Sequence, residues 1–397
     1  MTRLAILFVV IALPGVVQGA DTYRVSDNAG LYRALGAAKP GDKILLAPGN
    51  YDSNFHFRNV RGAANNPITI AAINANQRPR LVGSNNAFHI SGASHLVIQD
   101  LLISGASENG LNIDDDGDAA HPAHHITLRN LRVENIGPSG NADAIKLSGV
   151  DDFLLEDCTI ERWGSNGSAV DMVGCHRGRI INCTFKSGGE NAVQTKGGSS
   201  DITVRKCRFE DAGERAVNIG GITANDAFRP RFDSFPAKEH YEAKDIRIEG
   251  CTFSGGEAAI AFVGTDGAIV RYNTFYRPAK YVIRILQERP TSDGFVPCRH
   301  GVFENNVVVF RSDKWALGGV NVGGDTEPQS FRFANNLWYC EDQPGRSAPT
   351  LPTPEINGII GKNPQFIDAK TGNFKVKADS PAAGLGAPSL PPEKKGK

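Results

Sequence analysis

Methionine is scarce in this sequence, with two residues in 397, and charge of neither sign is in surplus: 43 Lys and Arg balance 43 Asp and Glu. A formal net charge of zero removes the global field expected of a nucleic-acid binder or of a protein drawn to anionic membranes. Beyond residue 20 no apolar run is long enough to span a bilayer, so membrane insertion is not expected. Seven cysteines are an odd number for a disulfide scaffold, and a chain of this length does not need one. Glycine is abundant, at 44 residues, and with so little methionine it suits a turn-rich β protein better than a helical bundle.

The N-terminus reads as a signal peptide over residues 1–20. Arg3 supplies a charged start, Leu4 to Val17 an apolar core interrupted by Pro14, and Val17-Gln18-Gly19-Ala20 a small-residue exit. The mature chain is therefore expected outside the cytoplasm, secreted or periplasmic, as a soluble monomer. Residues 27–38 pattern as a short amphipathic helix, with Leu31, Ala34, Leu35 and Ala38 on one face and Asp27 or Asn28 as N-cap. A helix ahead of a row of strands would cover the first open strand edge.

From residue 88 the chain repeats. Leu101, Leu131, Cys158, Cys183, Cys207, Cys251, Asn273, Asn306 and Asn336 form one column, and an apolar column from Ile103 to Trp338 lies two residues on. Most steps are 22 to 33 residues. The step from Cys207 to Cys251 is 44, so an insertion lies there, at 222–244. Each unit adds a second short strand: GLNI (110–113), AIKL (144–147), AVDM (169–172), AVQT (192–195), AVNI (216–219), AIAF (259–262), VIRI (282–285) and GVNV (319–322). Short alternating strands at this period, separated by Gly-rich turns, predict an all-β parallel β-helix solenoid over 21–387, with a disordered tail at 388–397. Four cysteines then become interior, unpaired thiols in one column; a Cys298–Cys340 bridge stays open.

Alternation places Asn112, Lys146, Asp171, Gln194, Asn218, Ala261, Arg284 and Asn321 on the outer face of the second strands, with Lys196 beside them and Asp143, Asn191 and Arg215 at strand entrances. At about 4.8 Å per coil, Lys146 to Arg284 crosses roughly 24 Å, a trough suited to an extended polymer. Outer faces of solenoids are polar simply because they are wet. A face selected only for strand propensity, however, would hold more Thr, Ser and Val than this one. The insertion, with Arg229, Arg231, Lys238, His240, Tyr241 and Glu242, leaves directly after the strand carrying Asn218 and would fold over the trough as a wall.

Lys and Arg mixed with amides fit a polymer bearing carboxylates or sulfates. On a uronic acid, removing the C5 proton requires a neutralised carboxylate and a nearby base. Lys196 is the candidate base, with Arg215 or Arg229 beside it; Lys146, Asp171, Gln194, Asn218, His240 and Arg284 are candidate substrate contacts. Asn191, Asp171 and Asp143 offer oxygen ligands of the kind that suits Ca²⁺. Hydrolysis would need two opposed carboxyl groups, for which Asp143, Asp171, Glu242 and Glu288 are available. The DDDGD run at 114–118 reads as an acidic turn. An epimerase or a non-catalytic polysaccharide-binding protein would use the same trough.

KPGDKILLAPGNY (39–51) and the coils from 88 to 340 resemble the right-handed parallel β-helix proteins of carbohydrate metabolism, in particular polysaccharide lyases of the chondroitinase B and alginate lyase type. Members have a helix-capped start followed by PGD-x-I-x-L-x-x-G-x-Y. Their active face carries acidic or amide calcium ligands just upstream of a catalytic Lys, and a catalytic Arg one coil later. Asn191 and Lys196 stand in a similar relation. The strand comparable to the one bearing the Arg reads AVNIGG, with Asn218 and Gly220, so Arg215 or Arg229 would have to substitute from another position. The resemblance implies β-elimination on an acidic polysaccharide.

Overall fold

The computed structural model describes residues 19–52, 55–83, 85–137, 140–236 and 238–392. Nearly all of the predicted signal peptide therefore lies outside the described residues. Three parallel sheets of fourteen, ten and twelve strands run the length of the molecule, each strand pairing with its equivalent in the next coil. One coil shows the order. Ser168–Val173 belongs to the ten-stranded sheet, His176–Ile181 to the fourteen-stranded sheet and Thr184–Gly188 to the twelve-stranded sheet. The chain then starts the next rung at Asn191–Lys196. Strand, turn, strand, turn, strand is the parallel β-helix that the repeat predicts. No helix among the described residues is long and apolar enough to cross a membrane.

The corner between the fourteen- and twelve-stranded sheets explains the cysteine and asparagine column. The residue just before that column is left-handed in coil after coil: Asp100, Asn130, Asp157, Asn182, Lys206, Tyr272, Asn305 and Asn335 have φ between 49° and 61°. Asp and Asn tolerate this region better than other residues with a Cβ. The following side chain turns into the core. Asn306 donates from Nδ2 to Asn336 Oδ1 at 3.1 Å and accepts at Oδ1 from Asn273 Nδ2 at 3.1 Å and from the Asn273 backbone N–H at 2.8 Å. Next to this ladder, Phe185, Phe209, Phe253 and Phe275 stack at centroid spacings of 4.6–5.0 Å. All seven cysteines are buried and free, so the Cys298–Cys340 bridge is not formed. Burial pushes the Cys175 and Cys298 thiols up to about 12.

The capping helix spans Asn28–Ala37, with the Asp27 carboxylate accepting from the Gly30 N–H at 2.6 Å. Its Leu31, Ala34 and Leu35 join the core with Val25 and Leu46 of the first coil. At the other end, Phe366–Asp368 and Asn373–Val376 form a small antiparallel pair. The predicted tail is described as far as residue 392 and starts anchored: Arg205 Nη2 donates to the Pro391 carbonyl at 2.7 Å.

Candidate functional site

The outward column of the ten-stranded sheet has the register that alternation predicts: Asn112, Lys146, Asp171, Gln194, Asn218, Ala261, Arg284 and Asn321 are successive partners. It extends two rungs further towards the N-terminus, through His89 to His56. Those two imidazoles stack face to face at 3.9 Å, and His89 Nε2 lies 2.5 Å from Asp114 Oδ2. The alternation in FHFR (55–58) and FHIS (88–91) was the available signal for them.

At the centre of the column lies a charge network. Lys146 Nζ bridges Asp171 Oδ2 and, at 3.3 Å, Asp143 Oδ2. Lys196 Nζ sits 3.4 Å from the same Asp171 oxygen and donates to Gln194 Oε1 at 3.3 Å. Asp143 and Asp171 are 3% and 1% exposed, so both carboxylates depend on these ammonium groups. Burial and the neighbouring Asp171 charge push the Asp143 carboxyl up to about 6. Burial works to lower Lys146, but the Asp171 and Asp143 carboxylates outweigh it and hold its ammonium above the ordinary lysine range. The network thus joins the predicted substrate contacts Lys146, Asp171 and Gln194 with the predicted base Lys196, and includes two of the three predicted metal ligands, Asp171 and Asp143.

The predicted calcium set is not free to bind a cation. The Lys146 ammonium already lies between Asp143 and Asp171, and Asp143 Oδ1 accepts from the Ser168 N–H at 2.7 Å. Asn191 Oδ1 and Asp171 Oδ1 are buried without partners, but two oxygens fall short of the six to eight that Ca²⁺ takes. The donor set does not fit the ion.

One end of the trough is closed. Arg215 Nη1 donates to Asn218 Oδ1 at 3.3 Å, and its Nη2 donates to Glu288 Oε1 at 2.7 Å. Glu288 follows the strand Tyr281–Leu286, two rungs on, so the ion pair passes over the rung of Ala261. Arg284 lies past this bar, with Nε donating to Asn321 at 3.1 Å, and is not brought to the Lys196 network. Gly220 explains why no arginine occupies the position where the resembling lyases carry one: a Cβ there would stand 1.8 Å from the Val263 carbonyl oxygen, at φ +103°. Arg215 reaches the neighbouring Asn218 from the strand entrance instead.

The insertion forms a flank of the trough, and two of its predicted site residues turn away from the chemistry. Arg229 donates to Asp151 Oδ1 at 2.5 Å and to the Gly174 carbonyl at 3.0 Å, and its Nη2 lies 2.7 Å from His176 Nδ1. It anchors the loop to the fourteen-stranded sheet. His240 stacks on Phe232 at 3.8 Å, with Nδ1 3.0 Å from the Gly294 carbonyl and Nε2 2.9 Å from the Phe232 carbonyl. It belongs to the loop's own core with Phe228 and Phe295. Glu242 accepts from the Gly197 N–H and the Thr223 hydroxyl, which removes it from the candidate acids. A second loop locks the insertion: Arg289 Nη1 donates to the Thr223 carbonyl at 2.5 Å.

The fold and this face define the class, a right-handed parallel β-helix protein with a polar, charge-lined trough. Residues 86–234 match the family model described as the right handed beta helix region. Among solved structures, the chain is similar to an alginate lyase from Paenibacillus sp. str. FPU-7 at 18% identity and a TM-score of 0.52, covering 77% of this chain and 99% of that one. It is also similar to pectate lyase Pel9A at 14% identity, with 92% and 91% covered and a TM-score of 0.56. The A-module of the Azotobacter vinelandii mannuronan C-5 epimerase AlgE4 aligns at 12% identity, with 84% and 91% covered and a TM-score of 0.51. At these identities the likeness is one of fold. No curated protein matches the chain in sequence.

Proposed function

We propose that this protein cleaves an acidic, uronate-containing polysaccharide by β-elimination in the trough. The observation that carries the proposal is the convergence, on adjacent rungs, of Lys146, Asp171, Gln194, Lys196, Asn218 and Arg215. The two lysines differ. Lys146 is held between two carboxylates, whereas Lys196 has a single ionic contact, at 3.4 Å, although both side chains are partly exposed. Lys196 is therefore the base. In its neutral form its Nζ takes the C5 proton, the C–H electrons form the C4–C5 double bond, the bond from C4 to the bridging oxygen breaks, and the departing oxygen is protonated from solvent. Arg215 exchanges its Glu288 contact for the uronate carboxylate and neutralises it, and Gln194 and Asn218 donate amide hydrogens to the charge that develops there. That one fold-level neighbour is an alginate lyase and another a pectate lyase supports the same class of polymer.

Hydrolysis is the second reading, favoured by Asp143, whose carboxyl is held up at about 6 beside Asp171. Incubation with alginate, pectate and glycosaminoglycans distinguishes the two. A lyase releases an unsaturated uronate that absorbs in the near ultraviolet, whereas new reducing ends without that absorbance mean hydrolysis. Lys196→Ala is expected to lower lyase turnover at least about 100-fold; full activity in that variant would remove Lys196 from the mechanism. The reading also places the protein outside the cytoplasm as a monomer, which N-terminal sequencing and light scattering of the exported chain would check.

A further inference from the structure

Nine histidines are present, and most have an evident partner. His89, His121, His176 and His300 each face a carboxylate, of Asp114, Asp118, Asp151 and Asp266. His56 bonds Ser91, and His240 lies between two carbonyls. His95, His124 and His125 face one another, with Asp151, Asp152 and Arg61 acting on His124 from outside the group. The His95 ring centre is 5.2 Å from that of His124 and 4.5 Å from that of His125, and the Nδ1 atoms of His124 and His125 are 2.8 Å apart. One nitrogen from each of the three rings falls within 4.8 Å of the other two.

Nothing in the packing requires this arrangement. His95 and His124 are partly exposed and His125 is exposed, so the cluster does not fill a core gap. Three imidazoles pressed together repel when protonated. Neutral imidazoles offer lone pairs instead, and three rings converging on one point is the arrangement a shared cation would use. The three residues sit on the adjacent strands Ser94–Gln99 and Ala123–Arg129 of the fourteen-stranded sheet, so their spacing is fixed by the ladder rather than by a loop. His95 and His125 both occupy a second left-handed position, near the start of the strand, at φ 48° and 55°, shared by Asp152, Arg177, Asp201, Asp245 and His300 in other coils. The backbone is therefore ordinary for this fold, and the choice of three histidines is not.

We propose that His95, His124 and His125 bind a divalent first-row transition ion of the Zn²⁺ class. Three neutral imidazoles and one open position suit such an ion, and hard, oxygen-seeking Ca²⁺ does not. Of the three, His124 also lines a cleft with Arg61, Ser94 and His121, where water or an anionic ligand of the metal would have room. His121 Nδ1 is held 2.8 Å from Asp118 Oδ2 on the rim of that cleft. The site is separate from the Lys196 trough, and its test does not depend on the activity proposed there.

The test is calorimetric titration of tag-free full-length protein with ZnCl₂ at pH 7.5, with CaCl₂ in parallel, and substitution by Co²⁺ to read coordination from its visible spectrum. One Zn²⁺ per chain, no Ca²⁺ heat and a four-coordinate Co²⁺ spectrum are expected. His95→Ala and His125→Ala should each weaken binding at least about tenfold, in line with the sensitivity of metal sites to their ligands. His300→Ala, at the equivalent left-handed position six coils beyond His125, should leave binding unchanged. Binding should also disappear at pH 5, where imidazolium cannot ligate. Both strand positions are partly or fully exposed, so a circular-dichroism melt checks that the variants fold. Absence of stoichiometric binding to the folded wild type overturns the proposal, as does binding that survives in the His95→Ala/His125→Ala double variant or is lost equally in His300→Ala.

Discussion

Replacing Lys146 by methionine tests the charge network at the centre of the trough. The substitution keeps the length of the apolar stem and removes only the ammonium. Asp143, 3% exposed, then has no cation in contact, whereas Asp171, 1% exposed, keeps Lys196 at 3.4 Å. Breaking a buried ion pair from one side costs about 3–5 kcal/mol, and the surviving Lys196 contact puts the expected loss at the lower end, about 3 kcal/mol. The loss should depend on pH. The Asp143 carboxyl already titrates at about 6, above the ordinary 3.8, so the native state holds that proton more tightly than the unfolded chain does. The associated stabilisation is fully present below pH 3.8 and disappears as pH rises through about 6. Without Lys146 the native carboxyl rises further, and ionising it at pH 8 places two charges side by side in the same buried space. Lys146→Met should therefore be much more destabilising at pH 8 than at pH 5, and adding Asp143→Asn should recover most of the difference at pH 8. Urea unfolding gives the magnitude, and hydrogen exchange shows whether the strands Ile145–Ser148 and Ser168–Val173 are where protection falls. A loss below about 1 kcal/mol at pH 8, or an equal loss at both pH values, would refute the reasoning.

Three further outcomes are expected. Arg229→Met removes the buried contact with Asp151 that anchors the insertion, and limited proteolysis within residues 222–242 should accelerate at least about tenfold with the rest of the solenoid intact; an unchanged rate would mean that Arg289 alone holds the loop. Asn306→Leu takes the acceptor from the Asn273 backbone N–H and should cost about 2–4 kcal/mol in denaturant unfolding, even though leucine occupies the same column at 101 and 131; a variant as stable as wild type would show that the ladder adds nothing over apolar filling. Gly220→Ala drives a Cβ against the Val263 carbonyl at a left-handed backbone position and should lower the melting temperature by several degrees; a neutral result would reopen Gly220 as a site for a side chain.

Much of this molecule is legible in its sequence because a strand period of two leaves no freedom. Once AVQT and AVNI are read as strands, Gln194 and Asn218 must share a face, and the ladder pairs them. The same logic reaches Lys146 and Asp171. It fails where a contact depends on how separate loops dock. Arg229 finds its partner Asp151 78 residues away, and His240 stacks among Phe232 and Phe295 only because the 287–298 loop meets the insertion. The arginine in the trough comes from the strand entrance, where Arg215 bends to Asn218, and the alternation rule does not report such a reach. Other signals were present and unread. An Asp or Asn immediately before most members of the cysteine and asparagine column marks the left-handed corner, and alternation in FHFR and FHIS extends the trough two rungs.

The cysteine column gives the protein a set of internal clocks. Cys158, Cys183, Cys207 and Cys251 sit on successive coils, each 0–1% exposed. Each Sγ also lies within 3.3–3.4 Å of the carbonyl two residues before it. A buried thiol reacts with an alkylating reagent only when its own coil opens. Tagging rates resolved by mass spectrometry would therefore time the opening of four neighbouring coils in a single unmodified chain, and would show whether the stack comes apart from an end or from the coil that carries the insertion.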